Sequence, residues 1–248
     1  MKRNIIILSV ILFLFSSFIS AQEENFKTVT VEGKDGIDLT ADVYSIGNKS
    51  APTVLLFHQY KSSRGEYREI APILNDMGFN AIAFDTRAGG TDPWSNVENV
   101  TSKTYADVFR DYLAVYPELE TALDYALKEG YDGKIIVWGS SFSASLVLKL
   151  AAENPDKISG VLAFSPGEYM KENKGIVSKW AGEIKDIPVF ISCGARESDN
   201  VKPIYEKIKA EDKTFYLPAV GNHGSSILMD DSRNWKEAKA FLKKFLAQ

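Results

Sequence analysis

Hydrophobic positions change their spacing about fifty residues into the chain. Across residues 26–31 and 37–44 apolar and polar side chains alternate, with Gly33 and Asp35-Gly36 between the two stretches. Alternation at period two, interrupted by turn residues, predicts a β-hairpin with one buried face. Beyond it the alternation gives way to short continuous apolar runs within residues 53–58, 80–85, 134–138, 159–164 and 187–193. Runs of this kind predict strands covered on both faces. A further short strand is predicted over 214–217.

Between the runs lie helical spacings. In 67–77 the apolar residues Ile70, Ile73, Leu74 and Met77 fall three and four apart, and Gly78 stops the pattern. Residues 112–129 repeat it with Leu113, Tyr116, Leu119, Leu123 and Leu127, despite Pro117. Helices are also predicted over 144–152, 201–209 and 235–246. Strands alternating with helices imply a mostly parallel sheet with helices on both faces, and the hairpin adds antiparallel strands at one edge. No internal repeat or linker divides residues 22–248, which read as one α/β domain. In such sheets ligands bind beyond the carboxyl ends of the strands. The polar residues there are His58-Gln59, Asp85-Thr86-Arg87, Gly139-Ser140-Ser141, Ser165 and residues 194–199.

Composition removes several function classes. The formal charge is −4, falling to about −6 if Lys2 and Arg3 are removed, and basic residues are scattered, which argues against nucleic acid as a partner. There are two histidines and one cysteine, with no HExxH or CxxC spacing, so neither a metal nor a disulfide is expected. Cys193 sits in an apolar run and reads as a small buried hydrophobe. At the start, Lys2 and Arg3 precede an apolar stretch over 5–19, and Ser20-Ala21 precede Gln22-Glu23-Glu24. This is the pattern of a secretory signal peptide over 1–21 cut after Ala21, giving a periplasmic or secreted protein; an uncleaved membrane anchor is the competing reading.

The chemistry concentrates in Gly139-Ser140-Ser141-Phe142-Ser143. A buried strand ends at Gly139 and a helix of small and apolar residues follows Ser141. A serine on that turn projects its hydroxyl above the sheet, where the helix N-terminus aims free N–H groups at an anion. A serine needs a base, and only His58 and His223 qualify as histidine bases. His223 lies in the glycine-flanked stretch Gly221-Asn222-His223-Gly224, after the last short strand.

The serine turn resembles the nucleophile elbow of the α/β-hydrolase superfamily, written G-x-S-x-G, with Ser143 in place of the second glycine. The resemblance runs over about residues 53–246. It implies the α/β-hydrolase fold, with Ser141 as nucleophile, Ser140 as the alternative, and His223 as base. The superfamily's acid follows a strand-ending glycine, which favours Glu197 and leaves Asp199 open. Its oxyanion hole would take the N–H groups of Phe142 and Tyr60, because His58-Gln59-Tyr60 resembles the family's H-G-x with Gln59 replacing glycine. His58 then anchors its loop, with the role of base as the alternative. Asp85-Thr86-Arg87-Ala88-Gly89-Gly90 resembles D-x-R-G-x-G, a structural turn in which Arg87 forms a buried ion pair or meets an anionic group. The short layout is similar to the dienelactone-hydrolase and small-esterase branches. Hydrolysis of a small-molecule carboxylic ester through an acyl-enzyme is therefore expected, without a cofactor and without stable membrane insertion of the mature chain. Acyl transfer, peptide cleavage or a non-catalytic binding module are the alternatives. Substrate-pocket residues are expected at His58 and Gln59 and in the long connections 88–105 (Trp94, Tyr105) and 165–183 (Tyr169, Met170, Trp180).

Overall fold

In a computed structural model, residues 25–170 and 173–246 are described; the expected leader over 1–21 lies outside them. Eight strands form one sheet: β1 (Lys27–Val31), β2 (Leu39–Tyr44), β3 (Thr53–Phe57), β4 (Asn80–Phe84), β5 (Ile135–Ser140), β6 (Gly160–Phe164), β7 (Val189–Ser192) and β8 (Lys213–Tyr216). Their order is β1-β2-β4-β3-β5-β6-β7-β8. The first two pairings are antiparallel, and every pairing from β4 to β8 is parallel.

The central strands are buried on both faces, as their unbroken apolar runs require. Alternate residues then feed two cores. Leu55, Val137, Val161 and Ile191 pack toward α3 (Tyr116–Lys128), α4 (Phe142–Glu153), α5 (Ile176–Ala181) and α6 (Ser198–Lys207). Leu56, Trp138, Leu162 and Phe190 pack toward α1 (Ile70–Asp76), α7 (Ile227–Asp230) and α8 (Trp235–Lys243). The remaining helix, α2 (Val100–Thr104), lies in the connection after β4 and is capped by the Asn99 side chain.

The expected hairpin, parallel sheet and two helical layers are all present. One boundary differs in a way that matters. The helix expected over 112–129 starts at Tyr116, because proline lacks an N–H and fits only a helix's first turn; Pro117 therefore fixes the start. Residues 112–115 are thereby left outside α3, with Leu113–Val115 in a short 3-10 turn before it, and Tyr112 continues the preceding loop.

Candidate active site

β5 ends in Ser140, and α4 begins at Phe142, so Ser141 must carry the chain through a sharp reversal. It does so at φ 61°, ψ −121°, a conformation that side-chain-bearing residues rarely adopt and that costs roughly 1–3 kcal/mol. Two features hold the strain. A Cβ at position 139 would collide with the carbonyl of Ser143, so the strand–helix approach requires Gly139. The Ser143 hydroxyl accepts from the Ser140 amide at 2.9 Å and reaches the carbonyl oxygens of Ser140 and Phe57 at 2.8 and 2.6 Å. Ser143 thus ties the turn to the end of β3, which no glycine there could do.

The Ser141 hydroxyl makes no capping bond to its own helix. The hydroxyl of Tyr169 is within its hydrogen-bonding reach and donates to the Ser165 carbonyl at 3.0 Å. Burial pushes the Tyr169 hydroxyl up to about 12, so it stays protonated. Ser140 points elsewhere: its fully buried hydroxyl accepts from the Ser225 amide at 2.9 Å.

On the neighbouring loops, Glu197 and His223 meet. One Glu197 oxygen is bonded to His223 Nδ1. The other accepts from the Ser165 hydroxyl at 2.6 Å and from the Gly194 amide at 3.3 Å. Burial works against the ionised carboxylate, but the bonds from His223 and Ser165 outweigh it and hold Glu197 below the usual carboxylate range. Asp199 is exposed in the first turn of α6. The two loops approach so closely that a Cβ on Gly194 would strike the Asn222 carbonyl. Ser165, itself at φ 55°, completes the clamp by accepting from the Gly224 amide at 2.9 Å. Sequence reading placed Ser165 at a strand end without a role; its positive φ is a three-dimensional signal.

His58 is fully buried and committed on both ring nitrogens. Nδ1 bonds the Gln59 carbonyl at 2.7 Å, and Nε2 faces the Thr86 amide at 2.9 Å and the Asn99 amide nitrogen at 3.0 Å. That pattern fits a neutral ring protonated at Nδ1, and burial pushes its pKa down to about 4. The Gln59 amide is held by Glu66 at 2.8 Å, which directs the following residue, Tyr60, to the sheet top. Among the described residues nothing accepts from the amides of Tyr60 or Phe142. Arg87 forms buried ion pairs with Glu118 and Asp35 and is unavailable to a substrate.

Beside Tyr169, whose hydroxyl reaches Ser141, opens a cavity of about 500 Å³ whose walls include Tyr60, Phe109, Tyr112, Leu113, Tyr169 and Met170. Of the expected pocket residues outside this wall, Trp180 on α5 is buried in the core beside Lys149 of α4, and the Tyr105 hydroxyl accepts from the Asp38 amide at 3.3 Å. Trp94 lines a smaller cavity of about 280 Å³ with Ser226, Met229 and Asp230. Neither His58 nor Gln59 lines either cavity among the described residues. Of the wall over 109–113, Tyr112 and Leu113 were expected in the helix that Pro117 delays, and residues 109–111 carry no apolar spacing that marks an element.

The arrangement places a strained serine, a carboxylate-bound histidine and two unused amides on adjacent loops at one end of the sheet. No curated protein sequence matches the chain. Among solved structures it is similar to an esterase of Pyrococcus furiosus (21% identity, 89% of this chain and 92% of that one, TM-score 0.68). It is also similar to a dienelactone hydrolase of Anabaena variabilis (16% identity, 89% and 97%, TM-score 0.68). A third similar structure is Est1E from Butyrivibrio proteoclasticus (17% identity, 89% and 99%, TM-score 0.67). At these identities the likeness establishes the fold. The family model described as serine aminopeptidase, S33 matches residues 48–205, more than half of the chain. The chain belongs to that family, and is a hydrolase of the α/β-hydrolase fold.

Proposed function

We propose that the protein is a serine hydrolase that cleaves carboxylic esters through an acyl-enzyme. The observation that carries this is Ser141 held at positive φ on the β5–α4 turn, with the Glu197–His223 pair on the facing loops. In this reading His223 Nε2 removes the Ser141 proton as the oxygen attacks the ester carbonyl. The amides of Phe142 and Tyr60 hold the resulting oxyanion; such a donor is worth about a hundredfold or more in rate. His223 then protonates the departing alcohol and activates water, which releases the acid and restores Ser141. Glu197 keeps the Nδ1 proton in place and stabilises the imidazolium, and Ser165 keeps Glu197 in place.

An aminopeptidase, the activity named in the family description, must grip a free ammonium beside the scissile bond. Among the described residues the cavity's one carboxylate is Asp111, which caps the Ala114 amide at 3.0 Å and stands next to Arg110. That environment favours a neutral ester over a cationic peptide terminus.

The test is labelling of the purified protein with a fluorophosphonate at neutral pH, followed by peptide mass spectrometry. We expect one adduct on Ser141, absent in His223→Ala. An unlabelled folded protein would reject the enzyme reading in favour of a binding module, and an adduct on Ser140 would move the nucleophile. Export is proposed on the pattern of residues 1–24: N-terminal sequencing of protein from the native cell should begin at Gln22, and a start at Met1 would overturn it.

A further inference from the structure

Five aromatic rings form one connected surface beside Ser141. Tyr112 stacks on Phe142 with centroids 4.8 Å apart and planes at 19°, and meets Tyr169 edge-on at 6.3 Å and 72°. Tyr60 stacks on Phe109 at 5.8 Å and 29°, and meets Tyr112 edge-on at 5.6 Å and 81°. Four of these rings line the cavity of about 500 Å³, while the fifth, Phe142, supports Tyr112 from below. The surface is joined to the reacting atoms through the same residues: Tyr169 reaches the Ser141 hydroxyl, and Tyr60 and Phe142 carry the two unused amides.

The position of the cavity selects which half of an ester it takes. His223 must protonate the leaving alcohol, so the alcohol lies on the histidine side of Ser141. Among the described residues, none of the cavity's lining comes from the histidine loop or from the loop of Glu197. Whatever fills the cavity is therefore the acyl portion.

The chemistry of the wall selects the kind of acyl group. Aromatic rings present negative faces and positive edges, so a site offering both orients a flat ring in a way that a flexible alkyl chain cannot exploit. Among the described residues, branched aliphatic side chains, which usually line fatty-acyl tunnels, are represented here by Leu113 alone. Arg110 and Asn173 supply polar contacts on the same cavity, suited to oxygen substituents on a ring.

We propose that this cavity is an acyl site for planar aromatic carboxylic acids, such as benzoyl or cinnamoyl groups, presented as esters. The proposal rests on the ester-hydrolase reading above. The reaction is that of the general scheme: water and the aromatic ester give the aromatic acid and the free alcohol.

The experiment compares kcat/KM for methyl cinnamate and methyl octanoate, with p-nitrophenyl acetate and fluorophosphonate labelling as controls for the serine machinery. Each well-formed ring contact is worth about threefold to tenfold in binding. The cinnamate-to-octanoate ratio is expected to exceed about ten and to fall about threefold to tenfold in Phe109→Leu. Phe109 is half-buried and packs on Tyr60 and Tyr112 at the outer edge of the cluster, so the variant's melting temperature, measured alongside, should stay close to that of the parent. A second readout is calorimetric: cinnamate should bind Ser141→Ala protein more tightly than octanoate does. Labelling and acetate cleavage with a ratio near one, or a ratio insensitive to Phe109, would overturn the aromatic assignment and leave the esterase standing. Absence of both labelling and acetate cleavage would remove the esterase reading, and the acyl assignment with it.

Discussion

Ser165 touches none of the reacting atoms in the scheme, yet three parts of the site depend on it. Its hydroxyl donates to Glu197, accepts from Gly224 and sits on a strained backbone whose carbonyl receives the Tyr169 hydroxyl. Ser165→Ala leaves one carboxylate oxygen with only the 3.3 Å bond from Gly194 and frees the Gly224 amide. Steady-state kinetics should show kcat reduced roughly tenfold to a hundredfold with KM little changed, since the lost bonds orient the histidine instead of the substrate. An unchanged kcat would detach Ser165 from the mechanism. The two acidic candidates separate more sharply. Glu197→Gln should lower kcat by roughly 10³–10⁴-fold through the wrong histidine tautomer, whereas Asp199→Asn, on an exposed helical turn, should stay within about twofold. The reverse ranking would return the role to Asp199.

At the scale of elements, the serine turn is a joint between β5, α4 and β3. The superfamily's usual glycine at position 143 would be a loss here: Ser143→Gly removes bonds to the Ser140 amide and the Phe57 carbonyl, both buried. We expect a destabilisation of about 1–3 kcal/mol in urea unfolding, against the intuition that restoring a consensus glycine helps; a stabilised variant would sink this account of the joint. The elements also divide cleanly by how well the sequence reports them. Strands β3 to β7 were legible because burial on both faces leaves an unbroken apolar run. Helices α2, α5 and α7 were not, because each is six residues or fewer and too short to establish a helical period. His223 was singled out by chain order and scarcity and Glu197, with Asp199 left open, by the resemblance, and these two are bonded to each other, whereas Ser165 and the 109–113 wall were given no role. The contacts of Ser165 come from its backbone conformation, Tyr112 and Leu113 from a helix start that apolar spacing alone mislocates, and residues 109–111 from a loop without a pattern.

Over the whole molecule, buried ionisable groups link stability to pH in opposing directions. Burial pushes Glu66 up to about 7, with the Ser140 hydroxyl and the Gln59 amide opposing it, and likewise raises Glu118 to about 7 and Asp85 to about 6. A carboxyl raised in the folded state binds its proton more tightly there than in the unfolded chain. Its contribution is complete below pH about 4.5 and is lost as pH rises toward 7. His58, lowered to about 4, works the other way: its contribution is complete above pH 6.5 and is lost as pH falls toward 4. Glu66→Gln keeps an acceptor for the Gln59 amide and removes one titration. Relative to the parent, it should gain on the order of 2–3 kcal/mol between pH 4.5 and 8, read from urea midpoints at the two pH values. Equal shifts at both would mean that Glu66 does not titrate in the window.

The stretch 109–113, which precedes the helix start fixed by Pro117, forms one side of the cavity, while Ser141, Glu197, His223 and the amides of Tyr60 and Phe142 to which the proposal gives the chemistry all stand on other connections. On the proposed reading, selectivity and reactivity are inherited from separate pieces of chain. Under that proposal, five consecutive residues grafted from a relative, or drifting on their own, would redirect the protein to another acid while the proposed bond-breaking residues are carried over intact.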